Sequence, residues 1–302
     1  MLTRRLALGA VLATVTFAGA AHAQSWKSAY PELVLAVVPA ENASGVTERY
    51  GPFVEYLSKA LGTKVTLRVA NDYAAVIEGQ RNGSIQLAGY GPASYARAIL
   101  TGVKIQPFAT TVNADGTMGY YSVFYVRADS PYKTLEDLKG KNLGLVDPNS
   151  TSGNNVPRFA LNKMKINPET FFARVTYTGS HENAVIALQQ KTVDVAANWW
   201  NSEDDSNLTR MVNKKLATKE DFRIIYKSDL IPNSPFAYLD SLPADLKAAI
   251  QKAFLEAPTK AKVAFDKLSD GKDREFVKVD AKYYDPVVEL IKFIDQLRKQ
   301  KS

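Results

Sequence analysis

An α/β fold of two lobes with a ligand cleft between them is what this sequence predicts, from three observations. Short apolar runs rich in β-branched residues alternate with stretches of helical period. The alternation occurs in two successive series. The series meet through strand-like segments, with no repeat, low-complexity tract or long Pro/Gly linker between them. In the first series, residues 33–38 read as a buried strand and 46–61 as an amphipathic helix stopped by Gly62. Residues 64–69 form a second strand, and Asp72 caps a helix running to about Arg81. Residues 85–88, 105–112 and 121–127 supply further strands. The second series follows Ser130-Pro131. A short helix over 134–141 with a glycine stop feeds a strand at 142–146, and a polar loop at 147–153 opens a helix at 154–164. A strand at 174–177, a helix at 181–190 and strands at 193–197 and 222–226 follow. Beyond Pro235 the pattern is helical, over 243–255, 260–268 and 286–297.

The first residues read as an export signal rather than as fold. Arg4 and Arg5 precede an apolar core, and Ala21-His22-Ala23 makes a small-residue cleavage site before Gln24. The apolar run is too short and wrongly flanked to span a bilayer. A mature protein in a periplasm is expected, cut after Ala23. The chain has no cysteine, which excludes disulfides, thiolate metal sites, a cysteine nucleophile and a lipidated N-terminal cysteine. No membrane anchor is therefore expected. The formal charge is +7, or +5 without Arg4 and Arg5, and basic residues adjoin only in pairs such as Lys214-Lys215. Scattered charge of this kind is a solvated surface rather than a nucleic-acid patch, and a modest positive field helps attract anions.

One loop carries the chemistry. Asp147-Pro148-Asn149-Ser150-Thr151-Ser152-Gly153 lies between a strand and a helix. Its hydroxyls, backbone N–H groups and the helix dipole converge on one spot suited to a tetrahedral oxyanion. Taken alone, such a run is more often a cap and turn, and one hydroxyl can cap while the others meet an anion. His181, the only histidine after residue 23, opens its own helix and could donate to the same oxyanion. A lone histidine is more often structural. Tyr73 and Tyr120 stand at strand–helix and lobe boundaries. Trp199 and Trp200 follow the strand at 193–197 and could roof a ligand or fill the core. The stretch Gly89-Tyr90-Gly91 lacks the third glycine and the acidic partner of a dinucleotide site. One histidine and no cysteine exclude the usual zinc sets, and neither a nucleophile elbow nor a Walker loop is present. Neither a cofactor nor a metal is expected. Glu203-Asp204-Asp205 reads as a solvated loop.

Four ordered motifs carry a resemblance across residues 24–302: Asn71 to Gly79, Gly119 to Val123, Asp147 to Gly153, and Gly179-Ser180-His181-Glu182. The chain resembles the periplasmic phosphonate-binding proteins of ABC importers. The resemblance implies a type II two-lobed binding-protein fold with a strand hinge, closing on its ligand. It places lobe I over residues 24–122 and 233–302, the latter with the C-terminal helices, and lobe II over 123–232. It implies that Ser150, Thr151, Ser152 and His181 hold the phosphonate oxygens, with Tyr73 and Tyr120 contacting the ligand. Its partner would be an ABC permease, and its state a monomer. Family members that bind aminoalkylphosphonates hold the ammonium with carboxylates. Ungapped matching puts Asn201 and Ser234 at those positions, and neutral groups cannot offset desolvation of an ammonium. A ligand without a cationic amine is therefore expected, unless Glu203 or Asp204 substitutes. The rival readings are a ligand sensor serving a receptor and a phosphoester hydrolase using His181 with Ser150 or Ser152.

Overall fold

The computed structural model describes residues 25–299. The expected export signal, residues 1–23, lies outside them. In chain order, β1 (Glu32–Val37), α1 (Ala43–Leu61), β2 (Lys64–Val69), α2 (Tyr73–Arg81), β3 (Leu87–Gly89), α3 (Pro92–Leu100) and β4 (Ile105–Asn113) come first. Then follow β5 (Gly119–Arg127), β6 (Asn142–Leu145), α4 (Val156–Lys163), α5 (Pro168–Phe171), β7 (Arg174–Tyr177), α6 (His181–Gln189), β8 (Val195–Ser202), β9 (Asp205–Ser206), α7 (Asn207–Asn213) and β10 (Phe222–Lys227). The chain ends with β11 (Ile231–Pro232), β12 (Phe236–Leu239), α8 (Ala244–Lys260), α9 (Lys262–Ser269), β13 (Asp273–Val277) and α10 (Asp285–Lys299). Among the described residues no helix is long and apolar enough to cross a membrane.

Two mixed sheets make the two lobes. The first has the order β13-β4-β12-β3-β1-β2 and the second β10-β5-β8-β6-β7, with β11 added to β5 and β9 to β8. In each sheet the early strands pair in parallel through helical crossovers, as Leu35 with Leu87 and Leu143 with Val195. The chain passes between sheets twice, through the turn after Asn113 and again between β11 and β12. That double strand crossing is the hinge. Local signals explain many boundaries. Asn42 and Asp72 accept from Gly45 N and Ala75 N, and Gly62 ends α1 in the left-handed region at φ 61°. The lobe I core gathers Phe53, Phe108, Phe254 and Phe276, with Phe53 and Phe254 meeting edge to face at 5.0 Å.

Several elements differ from the sequence reading. The region after Pro235 contains two strands, β12 and β13, where a wholly helical tail is expected. Both are short and both insert beside β4, so partners distant in sequence decide them. α3 is a further helix, with Gly91 at its cap and Pro92 as its first residue. The segment at 134–141 holds only a 3₁₀ turn, Glu136–Leu138. After the hydroxyl loop the chain makes one wide π turn, Thr151–Asn155, before α4 begins. β8 runs on to Ser202 rather than stopping at Ala197.

Candidate functional site

Four helical N-termini meet in the cleft between the lobes, at Tyr73, Pro92, Thr151 and His181. Ser150 caps the third, accepting from Gly153 N at 3.1 Å. The loop is held from both sides. Ser122 Oγ donates to the Ser152 carbonyl at 2.7 Å, and Ala93 N donates across the lobes to Thr151 Oγ1 at 2.8 Å. Asp147 accepts from Asn149 N at 2.7 Å and from the backbone of Tyr73, and its burial pushes its carboxyl up. The cleft encloses about 240 Å³.

All six residues expected to hold an oxyanion line this cleft: Tyr73, Tyr120, Ser150, Thr151, Ser152 and His181. The Tyr73 hydroxyl lies in hydrogen-bonding reach of Ser150, and burial holds its phenol far above the ordinary tyrosine range. The Tyr120 hydroxyl reaches Thr151 and Ser152, and burial pushes it up to about 12. Both rings therefore stay neutral donors. Burial drives His181 down to about 3, against a smaller opposing hydrogen bond with Asn198. Its Nδ1 is buried with no partner among the described residues. The arrangement offers neutral hydroxyls, an imidazole and the positive ends of helix dipoles, a set suited to a doubly charged tetrahedral anion.

Gly153 lets this loop fold back on its strand. A Cβ there would lie 2.4 Å from Val146 Cβ and 2.7 Å from Ser150 Oγ. Gly153→Ala is expected to cost about 1–3 kcal/mol of stability through overpacking and to weaken oxyanion binding by displacing Ser150. Thermal melts with a ligand titration check this, and wild-type values in both would refute it.

The remaining expected positions divide. Trp199, Asn201 and Ser234 line the cleft. Trp200 does not: it is in mid-strand beside Trp199, and successive strand residues face opposite sides. Its ring packs 5.9 Å from Tyr121 and 4.9 Å from the Lys227 ammonium instead. Asn201 donates to Asp205 Oδ2 at 2.9 Å and accepts from Asn113 at 3.3 Å. Glu203 and Asp204 are exposed, as a solvated loop requires, but Asp205 turns into the cleft. Asp273, Glu41, Arg49 and Arg210 also line it, and the sequence reading assigned none of them. The far end is thus charged, with carboxylates from both lobes. Asn201 and Ser234 no longer argue for an amine-free ligand, because Asp205 and Asp273 face the same space. Only Asp205 carried a sequence signal, as the last of three acidic residues.

The family profile described as the periplasmic phosphonate substrate-binding protein of ABC transporters matches residues 35–284. The chain belongs to this family. It is a periplasmic substrate-binding protein of the ABC importers, and not an enzyme. It is 34% identical over 255 residues to the phosphonates-binding periplasmic protein of Escherichia coli, covering 83% of this chain and 72% of that one. The binding component of an ABC phosphonate transporter from Pseudomonas aeruginosa superimposes with a TM-score of 0.78 at 28% identity, covering 86% and 85% of the two chains. PhnD1 from Prochlorococcus marinus, solved with methylphosphonate, has the same fold, with a TM-score of 0.74 at 18% identity and coverage of 88% and 98%. Family membership removes the hydrolase reading.

Proposed function

We propose that this protein captures a phosphonate-type oxyanion in the cleft and delivers it to an ABC permease. The observation that carries the reading is the convergence of Tyr73, the Ser150-Thr151-Ser152 turn and His181 at helix N-termini, with Tyr120 of β5 beside them. In it Ser150, Thr151, Ser152 and His181 hold the phosphonate oxygens, while Tyr73 and Tyr120 close over them. Hydrogen bonds to a charged group contribute about 1.5–3 kcal/mol each, so neutral donors suffice. Lobe I, over 24–122 and 233–302, and lobe II, over 123–232, close together and present a joint surface to the permease. The mature monomer begins after Ala23.

The relatives support this reading: the one from Escherichia coli is named for phosphonates, and PhnD1 was solved with methylphosphonate. Protein purified from the periplasm and stripped of ligand is titrated with methylphosphonate, aminoethylphosphonate, phosphite, phosphate and sulfate, following tryptophan fluorescence. Trp199 reports from the cleft wall. Tight binding of a phosphonate and none of sulfate is the expected result. Silence towards every phosphonate, confirmed by calorimetry, overturns the assignment.

A further inference from the structure

Helix α3 of lobe I has no side-chain cap of its own. Gly91 stands at the cap position with nothing to offer, and Pro92, the first helical residue, has no N–H. The first free donor of the helix is therefore Ala93 N, and Ala93 is buried. The neighbouring cleft helices are capped from within, α2 by Asp72 and α6 by Ser180. For α3 the cap comes from the other lobe. Thr151 Oγ1 accepts from Ala93 N at 2.8 Å, standing where the oxygen of a serine or aspartate cap ordinarily stands. The missing side chain at Gly91 makes room for it, since a Cβ there would lie 3.0 Å from Thr151 Oγ1. With φ at −79° the backbone of Gly91 does not require glycine, so space is the reason. Ser94 Oγ holds both the N–H and the carbonyl of Gly91, at 3.0 and 2.9 Å, which fixes the approach.

Thr151 has one hydroxyl proton and two lone pairs. The Ala93 N–H takes one lone pair, and the Tyr120 hydroxyl is in reach of the same side chain. The proton is left for an acceptor in the cleft, which Thr151 lines. An anion that accepts it is joined through Thr151 to the positive end of α3, and each bond in such a chain strengthens the next. Parting the lobes breaks the Ala93 bond, so the chain exists only in the closed form.

We propose, resting on the phosphonate reading of the same cleft, that Gly91 and Ala93 are positioning residues. The uncapped N-terminus of α3 aims the Thr151 hydroxyl at the phosphonate, and lobe I thereby completes the donor set of lobe II on closure. A residue at this position able to cap α3 from within would uncouple the two lobes.

Gly91→Ser supplies that internal cap. Its melting temperature is expected to match or exceed wild type, because serine caps a helix at least as well as glycine. Its affinity for methylphosphonate, measured by calorimetry on ligand-stripped protein, should fall about tenfold. In a Thr151→Ala background, with no hydroxyl left to aim, the same substitution should change affinity by less than about twofold. Lactate in place of Ala93 exchanges the N–H for an ester oxygen and adds no atom beside Thr151, so it separates the lost bond from crowding. The ester should weaken methylphosphonate about fivefold, and only while the Thr151 hydroxyl is present. An ester with wild-type affinity, or a loss equal with and without the Thr151 hydroxyl, overturns the proposal and leaves the phosphonate reading intact. A wild-type protein that binds no phosphonate brings down that reading and this inference with it.

Discussion

Replacing Lys214 with methionine is expected to open the ligand-free protein and weaken every cleft ligand about 100-fold. Lys214 Nζ bridges Glu41 of lobe I at 2.7 Å and Glu182 of lobe II at 2.8 Å, and Glu182 also accepts from Asn42 N across the cleft at 2.9 Å. Both carboxylates are almost wholly buried, Glu41 at 6% exposure and Glu182 at 2%. Removing the shared cation leaves buried Glu182 without its ion pair and Glu41 with Arg49 alone, and deleting one partner of a buried pair costs about 3–5 kcal/mol. Here the molecule has a way to relieve it short of unfolding. Opening the lobes hydrates both carboxylates. Closure must then be driven by the ligand, so the apparent affinity falls by the fraction of molecules still closed. Small-angle scattering should show a larger radius of gyration for the ligand-free variant, shrinking again at saturating ligand. An unchanged radius together with wild-type affinity would show that Lys214 is no latch.

The second large effect concerns His181. His181→Ala should weaken phosphonate binding about 10- to 100-fold, the loss of one hydrogen bond to a charged group of roughly 1.5–3 kcal/mol. Nδ1 can make that bond by donating its own proton or by accepting one from a protonated phosphonate oxygen. The same substitution should make the fold more acid-tolerant. The native imidazole is depressed to about 3 by burial, against 6.5 for the free side chain. A depressed histidine contributes fully above the unfolded value and loses that contribution as pH falls towards the folded one. Below pH 6.5 the unfolded state takes up a proton that the native state refuses, costing about 1.4 kcal/mol per pH unit. The stability gap between wild type and His181→Ala should therefore move by roughly 2 kcal/mol in the variant's favour between pH 7 and pH 5. Urea unfolding at the two pH values measures it. A gap independent of pH would mean that His181 takes up a proton in the native state as readily as in the unfolded one.

Much of the architecture is readable in the sequence wherever one short segment carries its own signal. The strand Lys64–Val69, the cap Asp72 on α2 and the strand Arg174–Tyr177 follow from local pattern and capping chemistry. β12 and β13 do not, because their conformation is set by pairing with β4, more than 120 residues away in sequence. The tryptophan pair shows the same limit at a single step. Sequence places Trp199 and Trp200 side by side, but β8 runs through both, so one ring faces the cleft and the other packs on Tyr121.

The near end of the cleft is written in short stretches of sequence. Ser150, Thr151, Ser152 and Gly153 are consecutive, and His181 opens the next crossover helix, so hydroxyls and helix dipoles converge through local geometry alone. The far end depends on how the two lobes pack. Arg49, Asp205, Arg210 and Asp273 come from four elements of two lobes, and no spacing along the chain marks them as neighbours. Their charges meet because the hinge brings the lobes together, and electrostatic interaction acts through distance in space rather than separation in sequence.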